Sequence, residues 1–85
     1  SKIPIIIEPS GINAILSGYG NDQYAELEYL PKINEIKENE IVYTSGSDGI
    51  IPASIPVGKI VFKEDKKYVK FFSNFNQLNY VQVNK

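Results

Sequence analysis

The run Thr44-Ser45-Gly46-Ser47-Asp48-Gly49-Ile50-Ile51-Pro52-Ala53-Ser54-Ile55-Pro56-Val57-Gly58-Lys59-Ile60 constrains this chain more than any other segment. Pro52 and Pro56 each remove a backbone donor and push the preceding residue toward extended geometry. Gly46 and Gly49 accept the positive φ that a sharp turn needs. No helix runs through such a segment. It reads as a strand, an ordered Gly/Pro loop and a second strand. It carries no reactive group, so it points to a scaffold and not to a catalyst.

The rest of the chain reads as strands too. Ile3 to Ile7 is an apolar run with Pro4 near its start, which suits an edge or a strand beginning. Ile12 to Ser17 alternates, with Ile12, Ala14 and Leu16 on one face. Tyr24 to Leu30 sets Ala25, Leu27 and Tyr29 against Glu26 and Glu28. Glu40 to Ser45 is rich in β formers. Val57 to Lys63 sets Ile60 and Phe62 against Lys59, Val61 and Lys63. Lys67 to Phe72 and Leu78 to Val83 complete the set. Ser17 to Asp22 and Glu64-Asp65-Lys66 read as hairpin joints. Pro31 to Asn39 reads as an irregular or single helical turn.

Turn signals recurring every 8–12 residues or so mark a small barrel or sandwich. The expected fold is all-β, barrel-like, with six or seven mainly antiparallel strands and the Thr44–Ile60 run as an ordered crossover. Closure removes the exposed edges that small sheets must otherwise protect. The expected core is Ile5, Ile7, Leu16, Leu27, Ile41, Ile60 and Val81.

Composition narrows the function classes. The 85 residues make one small domain, 42% hydrophobic, with a net charge of −1. That balance fits neither a disordered acidic tail nor a basic nucleic-acid arm. The chain has no Cys and no His. It therefore holds no disulfide framework, no thiolate metal site, and no Ser–His–Asp or Cys–His machinery. No segment approaches the roughly 20 apolar residues of a membrane span. The start at Ser1-Lys2, without Met, reads as a domain excised from a longer protein.

The remaining polar constellations are weak. Glu26 and Glu28 share one face of a strand, so they cannot flank a glycosidic bond and read as a solvated exterior. Asn21-Asp22 and Ser47-Asp48-Gly49 lack the alternating carboxylates of a calcium loop and read as turns. A Ser–Lys dyad finds no support in the spacing. No cofactor or metal site is expected.

One surface stands out. Lys63, Lys66, Lys67 and Lys70 mingle with Tyr68, Phe71, Phe72 and Phe75. Alternation puts Val69 and Phe71 inward and leaves Tyr68, Lys70 and Phe72 outward, as a candidate protein contact. Interleaved lysines and aromatics also suit single-stranded nucleic acid, so a nucleic-acid-binding barrel remains the alternative. The sequence pI of about 5.3 weighs against it. Ordinary core aromatics and solubilising lysines are the plain reading.

Four segments together resemble a known family. They are Pro9-Ser10-Gly11-Ile12-Asn13-Ala14-Ile15-Leu16-Ser17-Gly18, Leu27-Glu28-Tyr29-Leu30-Pro31, Ile36 to Gly46, and the Gly/Pro run with Ile55-Pro56-Val57-Gly58. In this order they are similar to the C-terminal β-rich region of the MreC family of bacterial rod-shape-determining proteins. Asn39-Glu40 stands where that family usually has Gly-Asp, and Ser54 stands where it often has Gly. The resemblance marks Thr44, Ser45, Gly46, Gly49, Pro52, Ile55, Pro56, Val57 and Gly58 as a structural signature.

It also implies the second of two β subdomains, taken from a protein anchored in the membrane by an upstream helix. The implied location is the periplasmic, outer face of the cytoplasmic membrane. The implied role is a non-catalytic scaffold for peptidoglycan elongation. Its partners would be a penicillin-binding transpeptidase, MreD, RodA and the MreB system, with self-association as a further contact and no nucleic acid. The family's β region resembles trypsin-like proteases in architecture, but fold does not carry function.

Overall fold

The computed structural model describes residues 2–17, 24–31 and 34–72. They form β1 (Ile3–Glu8), β2 (Ile12–Ser17), β3 (Tyr24–Glu28), β4 (Ile41–Thr44), β5 (Pro56–Lys63) and β6 (Lys66–Phe71). Every pairing is antiparallel, and the strands close into a barrel in the order β1-β2-β3-β6-β5-β4, with β4 returning to β1. The all-β barrel expected from alternation is the fold observed. The proposed strand over Leu78 to Val83, Phe75, Val81 and most of the Ser17 to Asp22 joint lie outside the described residues.

The interior is filled by side chains of alternating positions, as in any small barrel. Ile5, Ile7, Ala14, Leu16, Ala25, Val42, Val57, Ile60, Val69 and Phe71 are buried there. Leu27 faces inward but is only partly buried against them. Ile41 belongs to the outer face, which corrects its expected place in the core. The register pairs Val42 with Ile7 and Thr44 with Ile5, so these two residues of β4 point inward. Tyr29 is also misplaced by simple alternation. It follows the last residue of β3, turns at φ 65 and is 76% exposed. Phe62 keeps the inward phase of Ile60 but lies toward the barrel rim, where it is 42% exposed beneath the Lys67 ammonium.

The crossover is not where the Gly/Pro run suggested. β4 and β5 are paired neighbours, so residues 45–55 form a long excursion between them. The true crossover joins β3 to β4 across one end of the barrel. It has no helical turn among its described residues. Its Ile36 is buried as a plug, and Asn34 steadies it by accepting from the Ile36 N–H and donating to the Pro31 carbonyl. Asn39 sits at φ 75, the left-handed geometry that Asn tolerates best after Gly, and its N–H donates to the Ile60 carbonyl. Ser54 is likewise at φ 68, so the two places where the family usually has or often has Gly both keep a left-handed backbone.

Glu40 locks this crossover. Its buried carboxylate accepts from the Ser10 N–H at 2.8 Å and the Lys37 N–H at 2.7 Å, tying the crossover to the β1–β2 turn. Burial alone would push its pKa up. The hydrogen bonds from Lys37 and Ser10 outweigh it and hold the carboxyl below the ordinary value of 4.5. A folded pKa below the unfolded one means stability that is present above 4.5 and lost as pH falls through the folded value. Glu40→Gln should therefore cost about 1–2 kcal/mol near neutrality. Urea denaturation should show the gap between wild type and variant closing as pH falls below 4.5 and through the lowered folded value, where the carboxyl becomes neutral. A gap independent of pH would contradict this account.

The β5–β6 hairpin has a two-residue loop. Lys63 pairs with Lys66, and Glu64 and Asp65 take φ 53 and φ 67. Positive φ at both positions is the type I′ requirement, whose twist suits paired strands.

Candidate interaction surfaces

The inner faces of the strands are consumed by the core, so function must be read from the outer faces and the loops. Pairing registers set the outer rows. On one side, β4, β1 and β2 bring together Ile41 and Tyr43, then Pro4 and Ile6, then Asn13 and Ile15. Ile6 lies directly between Tyr43 and Asn13, and Pro4 lies beside Ile15. All except Asn13 are half-buried, and the exposed Glu8 of β1 lies beside Ile41 at the edge of this patch. Exposed Tyr29 rims a groove of about 560 Å³ over Pro4, Ile15, Ser45 and Ser47. The Lys2 ammonium meets the Glu28 carboxylate at 3.0 Å and the Ser17 hydroxyl donates to the same group at 2.8 Å. Both bonds hold the Glu28 carboxyl below its usual range, the one from Lys2 being the larger.

The opposite side carries the lysines. Tyr24 of β3 lies beside Lys70 of β6, which lies beside Lys59 of β5. The next row is Glu26, Tyr68 and Val61. The candidate residues Tyr68 and Lys70 do face outward, both half-buried. Phe72 lies just beyond β6, half-buried, with its N–H donating to the Val57 carbonyl. Tyr68 and Phe72 are separated along the strand by Lys70 and do not form an adjacent pair. Sequence reasoning missed Tyr24, whose ring lies 4.1 Å from the Lys63 ammonium. Its signal was the outward phase of β3, but the β3–β6 pairing that delivers it here is non-local.

Several residues of the Thr44–Gly58 run bond or pack within the chain. Thr44, 2% exposed, donates its hydroxyl to the Pro52 carbonyl at 2.6 Å and accepts from the Ile55 N–H at 2.9 Å. The backbone of Thr44 exchanges further bonds with Ile55 and Ser54, and the Ser45 N–H donates to Pro4. Gly46 turns at φ 77 with Ala53 packed so close that an added Cβ would lie 2.9 Å from the Ala53 Cβ. Gly49 closes a turn onto the Gly46 carbonyl, and Asp48 accepts from the Ile50 and Ile51 N–H groups. These bonds and contacts tie the loop to itself, and Ile50 is 81% exposed at its tip. Pro56, Val57 and Gly58 start β5 at a register shift opposite Val42 and Tyr43, which turns both Val57 and Gly58 inward.

The described residues thus form a small closed all-β barrel with a packed interior, a braced loop and two contrasting outer sides. The comparisons with known proteins are specific. The family model for the rod shape-determining protein MreC, barrel core, matches residues 1–85, and the chain belongs to that family. It is 32% identical over 84 residues to the cell shape-determining protein MreC of Cereibacter sphaeroides, covering 98% of this chain and 28% of that protein. The Caulobacter vibrioides protein of the same description gives 32% identity, covering 98% of this chain and 24% of its own length. The chain thus spans about a quarter of these relatives. The crystal structure of MreC from Pseudomonas aeruginosa is 29% identical with a TM-score of 0.67, over 82% of this chain and 48% of that one.

Proposed function

We propose that this barrel is a non-catalytic interaction domain that organises the peptidoglycan elongation machinery on the outer, periplasmic face of the cytoplasmic membrane. Its protein partners are a penicillin-binding transpeptidase, MreD, RodA and the MreB system, with self-association as a further contact. Membership of a cell shape-determining family supports the setting. The observation that carries the reading is an apolar patch on the outer side of β4, β1 and β2, where Ile6, Ile15 and Tyr43 face outward in register and Glu8 beside Ile41 marks its charged margin. A barrel whose exterior met only water would have no use for such a row, whereas protein interfaces centre on aliphatic and aromatic side chains with few charges. Tyr68, Lys70 and Phe72 form a second proposed contact on the other side.

Sedimentation tests this directly. The chain is run alone, then with the extracytoplasmic part of the matching penicillin-binding transpeptidase. A co-sedimenting complex is expected. Ile6→Ser with Ile15→Ser should weaken it at least tenfold while circular dichroism stays that of a β barrel, because both side chains lie outside the core. Unchanged affinity in the double variant would remove this face from the reading.

A further inference from the structure

The lysine side of the barrel has an arrangement that solvation alone does not favour. Lys59 and Lys70 are direct cross-strand partners on the outer face, and Lys63 and Lys66 are direct partners in the same hairpin. Like charges placed directly opposite each other destabilise a sheet. Among the described residues, none of Lys59, Lys66 and Lys70 forms an ion pair. The Lys63 ammonium is drawn over the Tyr24 ring, toward the Lys70 row. Between the two lysine pairs lies an apolar row, Val61 and Tyr68, with Glu26 at its β3 end. Each pair is four residues from the other along its strand, about 13 Å at the usual rise.

We propose that the outer face of β3, β6 and β5 docks an extended acidic segment of a partner protein, with one apolar side chain between two carboxylates. The inference rests on the interaction role proposed above and names the chemistry of one contact. An extended segment puts every second side chain on one face, so an acidic-x-apolar-x-acidic pattern spans the same 13 Å or so as the two lysine pairs. One carboxylate lies between Lys59 and Lys70 and turns a repulsion into two attractions. The apolar side chain covers Tyr68 and Val61. The second carboxylate meets Lys66. A flat anionic membrane fits less well, because Glu26 and the Glu64–Asp65 turn flank the face and would meet the lipid headgroups. A narrow segment passes between them.

The test is an amide-shift titration of the labelled chain with a blocked synthetic peptide, Asp-Thr-Leu-Thr-Asp, and with its Asn-Thr-Leu-Thr-Asn counterpart. The acidic peptide should shift the amides of Lys59, Val61, Tyr68 and Lys70. The neutral peptide should bind at least fivefold more weakly. Lys59→Glu with Lys70→Glu should abolish the response, and Lys59→Gln with Lys70→Gln should reduce it in a barrel whose charge is merely removed. Equal responses to the two peptides, or none, would overturn the proposal. So would lysine-dependent binding to phosphatidylglycerol vesicles or to a single-stranded oligonucleotide without a peptide response. Transpeptidase co-sedimentation by wild type, retained in the Glu double variant, would also overturn it while leaving the interaction role intact. Failure of wild type to co-sediment, with a normal peptide response, would instead remove that partner and keep the acidic site.

Discussion

Gly58→Ala should destabilise the barrel more than any other single methyl added to it. Gly58 faces Phe71 in the β5–β6 ladder, at the register shift where β5 turns two successive residues inward. A Cβ there would run into the Lys70 carbonyl oxygen and would lie 2.9 Å from its carbonyl carbon and 3.0 Å from the Phe71 Cα. These are backbone atoms of a hydrogen-bonded strand, so no rotamer change relieves the clash. Either β6 moves away, breaking the ladder at Phe71, or β5 loses the bend that buries Val57. Overpacking a close contact typically costs about 1–3 kcal/mol, and more where only backbone can yield. We expect about 3 kcal/mol or more, against roughly 5 kcal/mol for a small domain. At about 4–8 °C per kcal/mol the melting temperature should fall by roughly 15 °C or more. A folded variant melting within a few degrees of wild type would mean that β5 and β6 approach less closely than described.

The same position shows what could be read from residues alone. Gly58 belongs to a run recognisable as strand, loop and strand; the apolar runs place Ile5, Ile7, Leu16 and Ile60 in the core, and alternation puts Val69 and Phe71 on the inner face, as found. What alternation cannot supply is partnership between distant strands. β3 pairs with β6, forty residues or so away, and only that pairing brings Tyr24 beside Lys70 and makes the lysine side continuous. The expectation of a crossover over Thr44–Ile60 fails for the same reason, since an excursion between paired strands and a crossover between unpaired ones can share one turn chemistry. The phase of β4 was lost for another reason. Ile41, Val42, Tyr43 and Thr44 are all good β formers, so hydropathy favours Ile41 inside. The structure instead turns Thr44 inward because its hydroxyl is needed there, and Val42 follows it by the two-residue period.

That buried hydroxyl yields the second large effect. Thr44→Val preserves shape and β preference, and it removes only one oxygen. The oxygen makes two bonds, donating to the Pro52 carbonyl and accepting from the Ile55 N–H, and so it joins the start of the 45–55 excursion to its end. Valine can replace neither, and it leaves a donor and an acceptor without partners at a site where Thr44 is 2% exposed. Each lost bond is worth about 1 kcal/mol, and stranding a buried polar group adds about 1–3 kcal/mol, so a total near 2–4 kcal/mol is expected. Thr44→Ser keeps the hydroxyl and gives up one methyl, about 1 kcal/mol. Urea denaturation should therefore rank Ser well above Val, although Val is the more apolar residue and would be preferred in a purely hydrophobic core. Amide exchange should show where the loss falls. The Ile55 N–H should lose protection in the Val variant far more than amides of β1 or β2, because its acceptor has gone. If Ser and Val were equally damaging, the methyl and not the hydroxyl would be holding the loop. The braced form of the 45–55 excursion, and the outward presentation of Ile50 at its tip, would then need another cause.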